Sequence, residues 1–324
     1  MSVSLKQTIL SLFLLTPNLN GGELERQTGF SRAAISKAIK SLKEEGYLIE
    51  SVQGSGYTYL GDGDVLNRDI ITKRLKSSFG KSLDILETVD STNLYIKRLL
   101  PNIPEGHTVV ASSQDSGMGR KGRPFASPYG GLYFSVLLKP NVAINKVHFL
   151  TFCAAVAVCN AIKEVYDLTV DIKWVNDIFY NNKKLAGIST DTTFNAELMG
   201  VDSVVIGIGI NIDSTPSEVS DIAIDLKCIT GKAGLKNKLL ASILNHLHSA
   251  TKEFYNCGVG EIMAQYRKHC FILGKEIIVH DGKDIYKATA QNVMPNGWLT
   301  IRKEDGMVKT LAFAEVSIRV GNGN

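Results

Sequence analysis

Apolar positions in the first part of the chain recur at helical spacing. The run LKQTILSLFLL from Leu5 to Leu15 has this period, and Pro17 stops it. A short helix is predicted over Glu23 to Thr28, with Gly29 as its left-handed stop. Ser31 is a natural N-cap for a third helix, and Phe30 and Ile35 are placed to form a hydrophobic staple across it. Along that helix Ile35, Ala38, Ile39 and Leu42 form one face, Arg32, Ser36, Lys37 and Lys40 another, and Gly46 ends it. YLIESVQGSGYTYL then reads as a two-stranded ribbon turning at Gly54-Ser55-Gly56.

Helix, helix, turn, basic helix and ribbon is the order of a winged helix-turn-helix. A helix of this size fits the major groove, so Ser31, Arg32, Ser36, Lys37 and Lys40 are the candidate DNA-contacting residues. Charge over residues 1–60 is nearly balanced, which keeps a merely solvated polar face as the alternative. Gly61 to Asp64 (GDGD) reads as a linker.

From Val65 to Cys270 helices and strands alternate, predicting an α+β or mixed architecture with helices packed on a central sheet. DILETVDSTNLYIKRLL is a strand and a helix capped by Asp90, Ser91 or Thr92. HTVVASSQD and GGLYFSVLLKP are strands flanking a glycine-rich loop. FLTFCAAVAVCNAIKEVY is apolar nearly all round and so predicts a helix buried on most sides. DIKWVNDIFYNNKKLAGISTDT reads as a strand, a turn at Asn181-Asn182 and a second strand, and DSVVIGIGINI as another buried strand. After Phe271 come short strands, with Asp281-Gly282, Asn296-Gly297 and Asp305-Gly306 as hairpin turns.

Length and composition narrow the class. A chain of 324 residues, 44% hydrophobic, is expected to form two or three domains. The net charge of +4 permits nucleic-acid binding without requiring it. Five scattered cysteines with no C-x-x-C pair point to a reducing, cytoplasmic setting without disulfides or a zinc site. TILSLFLL is too short to span a bilayer and reads as the first helix, so no membrane partner is expected. His246 and His248 lie two apart on a helical pattern and read as ordinary residues.

The loop QDSGMGRKGRPFASPYGG holds most of the candidate chemistry. Gly117, Gly119 and Gly122 alternate with Arg120, Lys121 and Arg123, and no carboxylate sits among them. Glycines allow close wrapping and the cations call for an anion. The match to G-x-G-x-x-G is a decoy, because prolines and a strand follow where a dinucleotide fold needs a helix. No phosphate-binding P-loop and no nucleophile triad is present.

Together with DSTN (Asp90 to Asn93), KWVNDI (Lys173 to Ile178), KKLAGI (Lys183 to Ile188) and GIGINI, this loop resembles the biotin protein ligases. With the N-terminal module, the whole chain resembles the bacterial proteins that combine biotin ligase and biotin operon repressor. The resemblance implies three domains. These are a winged helix-turn-helix over 1–64, a class II synthetase-like α/β ligase domain with a mixed sheet over 65–270, and an SH3-like β-barrel over 271–324. It implies biotin and ATP as substrates, with Mg²⁺. It also implies as partners the biotin carboxyl carrier protein of acetyl-CoA carboxylase, operator DNA and, in the adenylate-bound state, a second copy of the chain.

Residue by residue, the resemblance puts Ser91, Thr92, Asn93 and Gln114 on biotin's ring system, with Gly117, Met118, Gly119 and Arg120 closing over it. Arg120 is the main loop cation, Lys184 meets the carboxylate and phosphate, and Gly187 permits close approach. Arg123, Asn176 and Asn211 fall on the nucleotide side, and Asp177 is a candidate Mg²⁺ contact. Arg120, Lys184 and Asp177 are thus the expected catalytic residues.

The sequence also departs from the family. Met118 stands for the first arginine of the usual G-R-G-R, Phe125 lies where the family has tryptophan nearby, and Val175 replaces proline. Ser189-Thr190-Asp191 replaces apolar residues and a glutamate where the family's protomers pair, and Ala314 replaces a glycine. A ligase without repression, a biotin sensor with an impaired ligase site, and a ligase for lipoate or octanoate remain the alternatives.

Overall fold

The computed structural model describes residues 4–52, 55–119, 122–195, 200–213, 215, 219–312 and 315–318. Near the N-terminus α1 (Leu5–Leu15), β1 (Asn18–Leu19), α2 (Gly21–Thr28), α3 (Arg32–Glu44), β2 (Leu48–Val52) and β3 (Gly56–Gly61) follow in order. Asn20 caps α2 through a reciprocal capping box with Glu23, so this helix starts two residues earlier than its apolar pattern suggests. Ser31 caps α3 by accepting from Ala34 N. Ile35, Ala38, Ile39 and Leu42 join Ile9, Phe13 and Leu24 in one core. Phe30 stays half exposed and outside that core, so it does not complete the expected staple. The strands form a sheet in the order β1-β3-β2; Gly54, at the expected ribbon turn, lies outside the described residues.

The stretch read as a linker is packed. Asp62 is buried and accepts from Tyr59 Oη and, at 3.0 Å, from Asn237 Nδ2. Asn237 also donates to Val65 O at 2.7 Å and accepts from Asn67 N at 2.9 Å. Lys236 pairs with Asp64 at 3.3 Å. Composition signals a turn here, and the distant Asn237 and Lys236 help make it a fixed junction.

The central part begins with α4 (Arg68–Lys73), β4 (Leu83–Val89), α5 (Thr92–Leu99), β5 (Thr108–Gln114), β6 (Leu132–Leu138) and α6 (Phe149–Tyr166). Then come β7 (Asp171–Lys173), β8 (Asp177–Tyr180), β9 (Lys183–Asn195), β10 (Gly200–Ile210), α7 (Leu226–Thr230), α8 (Lys236–Cys257) and α9 (Gly260–His269). The sheet order is β4-β5-β6-β10-β9-β8-β7, parallel only between β4 and β5. The expected first strand of DIKWVNDIFY is in fact a hairpin, because residues 174–176 turn and pair Lys173 with Asp177. Asn181 and Asn182 both take positive φ, as their turn requires.

Each strand shows one face to the main core and one to the other side. Val204, Ile206 and Ile210 of β10 share the core with α6 and α8, while Val205 packs with Ile96 of α5. The segment Ile144–Tyr166 is long and apolar enough to cross a membrane, but 78% of its most apolar stretch is buried inside this fold. His246 meets Glu164 and His248 stacks on Phe79, so both are structural.

The C-terminal strands β11 (Glu276–Asp281), β12 (Asp284–Val293), β13 (Leu299–Lys303), β14 (Val308–Leu311) and β15 (Glu315–Ile318) form an antiparallel sheet. Its order is β14-β13-β12-β11-β15, and Ala314 lies outside the described residues. The sheet shares the central core, and Trp174 Nε1 donates to Gly297 O at 3.0 Å across the contact. The five cysteines are all free thiols.

Candidate active site

On the side of the central sheet away from α6, side chains stand in rows, because residues paired across a ladder point the same way. One row is Leu137, Val205, Asp191, and the next is Ser135, Gly207, Ser189. The third is Tyr133, Gly209, Gly187, Asp177, Lys173. Leu137 and Val205 of the first row pack with Ile96. Glycines then lower the floor. A Cβ on Gly207 would stand 2.3 Å from Asn93 Oδ1, and one on Gly209 2.4 Å from the Phe125 ring. Asn93 and Phe125 therefore occupy space that any side chain would fill.

This trough opens as a cleft of about 230 Å³. Ser91, Thr92, Asn93 and Gln114 line it from α5 and β5, and Met118, Gly119, Arg123 and Phe125 from the loop. Lys173, Trp174, Asn176, Asp177, Lys184 and Gly187 line it from the β7–β9 region. Lys173, Ser189, Gly207, Gly209 and Val316, none of them a predicted site residue, also form its wall.

The end built by α5 is neutral and fully wired. Gln114 Oε1 accepts from Thr92 N at 2.9 Å and Thr92 Oγ1 at 3.1 Å, while its Nε2 donates to Ser127 Oγ at 2.9 Å. The Ser135 hydroxyl lies 2.7 Å from Thr92 Oγ1 and also reaches Asn93 Oδ1. Asn93 Nδ2 donates to Ser189 Oγ at 3.1 Å and Asp191 Oδ2 at 3.0 Å. Ser91 is the N-cap of α5 but makes no side-chain cap bond, which leaves its buried hydroxyl to the cleft. Just outside, Arg98 holds the Asp90 carboxyl down to about 2, with help from Ser91 N–H, and so anchors the start of the helix.

The other end is charged. Lys184 Nζ lies 2.8 Å from Asp177 Oδ1 and 5.7 Å from the centre of the Phe125 ring. Asn176 Nδ2 donates to Ile188 O at 2.6 Å, which fixes the turn that aims Asp177 inward. Among the described residues no three His, Cys, Asp or Glu side chains cluster as a metal site. A polar, uncharged head thus fits one end and an anion the other.

Two expected residues fall elsewhere. Gly117 packs beneath the loop, where a Cβ would be 2.5 Å from Phe125 O. Asn211 does not line the cleft, and its Nδ2 is spent on Ile224 O at 3.1 Å and Lys184 O at 3.4 Å. Arg120 and Lys121 lie outside the described residues. Around them the loop is a small hairpin, with Gly119 N donating to Arg123 O and Phe125 N to Gly117 O, both at 2.8 Å.

A second groove lies between α3 and the β2–β3 ribbon. Arg32, Ser36 and Lys40 line it, joined by Lys43 and Ser51. Ser31 is used as a cap, Lys37 is exposed and does not line the groove, and Arg32 pairs with Glu25 at 2.9 Å.

Residues 85–211 match the Biotin/lipoate A/B protein ligase family and residues 6–58 match the HTH domain. The chain is 31% identical to the bifunctional ligase/repressor BirA of Bacillus subtilis (strain 168), over 98% of this chain and 100% of that one. It is 28% identical to the bifunctional ligase/repressor BirA of Escherichia coli (strain K12), over 93% of this chain and 92% of that one. Among solved structures it is similar to the biotin protein ligase from Aquifex aeolicus in complex with biotin and ATP. That match has a TM-score of 0.64 and 30% identity, covering 74% of this chain and 99% of the other.

Proposed function

The chain belongs to the family of bifunctional biotin ligase/repressors, and on that premise we propose that its central cleft joins biotin to a carrier lysine through an adenylate. A biotin carboxylate oxygen attacks the α-phosphorus of ATP, and the bond to pyrophosphate breaks. The ε-amine of a lysine then attacks the acyl carbon, AMP leaves, and the amine loses a proton. The observation that carries this reading is the two-ended cleft, a neutral hydrogen-bonding end beside a cationic one on a glycine floor.

In this reading Ser91, Thr92, Asn93 and Gln114 hold the ureido ring, which offers two donors and one acceptor. Lys184 leaves Asp177 to meet the carboxylate and the developing phosphoryl charge. Gly187 lets the ligand lie close to the backbone, and Gly209 makes room for the Phe125 ring beside it. Met118, Gly119, Arg120 and Arg123 close the loop over the anhydride and keep water from it. Gly117 supports that loop from below, and Asn211 and Asn176 act by fixing the backbone at Lys184 and Asp177. Once Lys184 has turned to the ligand, the Asp177 carboxylate is the residue that would hold Mg²⁺ arriving on the triphosphate, where the ion would offset phosphate charge.

The groove beside α3 is the proposed operator-binding face, with Arg32, Ser36, Lys40 and Lys43 toward DNA. Among the described residues no strand pairs with the outer edge of β9 beyond Ile188. That open edge supports pairing with a second copy in the adenylate-bound state, or with the carrier. We assign the division at 1–64, 65–270 and 271–324, the synthetase-like and SH3-like descriptions of the last two units, and a cytoplasmic site on the same basis.

Incubation with biotin, MgATP and a biotin carboxyl carrier domain tests the ligase. A biotin-dependent amide on the carrier lysine is expected, and none would overturn the proposal. Binding to the chain's own promoter, weakening linearly in log salt, tests repression.

A further inference from the structure

We propose that Asp191, braced by Lys97, is a positioning residue that fixes the Asn93 amide so that its carbonyl oxygen faces the bound ligand. This rests on the biotin ligase reading above. Asn93 and Lys97 are four apart on α5 and share a face. Both reach Asp191 Oδ2, at 3.0 and 2.9 Å. Two other side chains hold the Asn93 amide, Ser189 and Ser135, and both are hydroxyls. A hydroxyl donates or accepts, so these two would tolerate the amide in either orientation. Asp191 is the one acceptor-only group bonded to this amide, and it forces Nδ2 toward itself.

The consequence falls on the cleft side. Both Nδ2 hydrogens are spent, on Asp191 and Ser189, and Oδ1 stands over Gly207 with a lone pair beyond the one used by Ser135. Asn93 therefore offers the ligand an acceptor and no donor, which selects a ring N–H. Asp191 and Lys97 are each about two-fifths exposed, at 40% and 38%. Such an ion pair adds little stability by itself. Here it keeps the carboxylate from turning to solvent.

The experiment measures biotin affinity by calorimetry and biotin-dependent pyrophosphate release on the full-length chain. Asp191→Ala is expected to weaken biotin binding and raise the KM for biotin about 3- to 10-fold, the worth of one hydrogen bond, with kcat and the KM for ATP unchanged. Asp191→Asn keeps the size, and Lys97 still donates to its oxygen, so it should lose less than Asp191→Ala. Lys97→Met should shift the KM the same way by less, and Asp191→Asn combined with Lys97→Met, which frees the new amide to donate, should match Asp191→Ala. In an Asn93→Ala background Asp191→Ala should add nothing. Wild-type affinity in Asp191→Ala, an equal further loss in the Asn93→Ala background, or a fall in kcat alone would each overturn the proposal. Thermal melts establish that each variant is folded, and if Asp191→Ala is not, the combined Asp191→Asn and Lys97→Met variant decides. Wild-type protein that binds biotin but releases no pyrophosphate would sink the ligase reading while calorimetry still decides this one.

Discussion

Gly207→Ala should separate the glycine floor from a merely permissive strand. The added Cβ would lie 2.3 Å from Asn93 Oδ1 and 2.7 Å from Ser189 Oγ, where real contacts exceed 3 Å. Asn93 is buried on the first turn of α5, and its Nδ2 is tied to Ser189 and Asp191, so its oxygen cannot retreat alone. Overpacking of this kind costs about 1–3 kcal/mol. Each displaced hydrogen bond adds ~0.5–1.5 kcal/mol. With part of that total appearing as lost stability, biotin affinity should fall about 10- to 100-fold, at ~1.4 kcal/mol per decade. Calorimetric titration with biotin and urea unfolding measure the two parts. Gly260→Ala is the control, on α9 away from the cleft, where an added Cβ would meet nothing within 4 Å. Wild-type affinity in Gly207→Ala, or an equal loss in Gly260→Ala, would refute the pairing of Gly207 with Asn93 and Ser189.

Local chemistry was legible in the sequence wherever it depends on neighbours along the chain. Ser31 as a cap, Asn181-Asn182 as a turn and the four apolar positions of α3 follow from spacing alone. Ser91, Thr92, Asn93, Gln114, Met118, Gly119, Arg123, Asn176, Asp177, Lys184 and Gly187 line one cleft, while Gly117 packs beneath the loop. What stayed hidden depends on register. Ser135 sits in an apolar run, and nothing local says that it lands beside Gly207 under Asn93. Gly207 and Gly209 look like small members of a buried strand until Ser189 and Gly187 are paired with them. Asp62 looked like turn composition because its partner, Asn237, lies 175 residues away. Asn211 belonged to a motif, yet its amide serves the backbone instead of the cleft.

Three further outcomes follow. Lys184→Met should lower kcat for pyrophosphate release about 10²- to 10³-fold and weaken biotin binding by less, because it removes the cation that meets the carboxylate and the developing charge while the neutral end stays intact. Asn237→Ala leaves Asp62 and Val65 O short of a donor in a buried junction, and urea unfolding should show a loss of about 2–4 kcal/mol. Burial holds the His107 imidazole below its usual range, against the nearby Asp84. The unfolded chain therefore takes up the proton first, so the stability His107 contributes is full above about pH 6.5 and is lost as pH falls below it. The Tm should drop between pH 7 and pH 5.5, and His107→Gln should flatten that drop.

The most direct test of the account is native mass spectrometry of the whole chain mixed with biotin, ATP and Mg²⁺. The account predicts a bound mass equal to biotinyl-adenylate, absent when either substrate is left out, with pyrophosphate released in step. A biotin adduct alone, with no adenylate and no pyrophosphate, would contradict it.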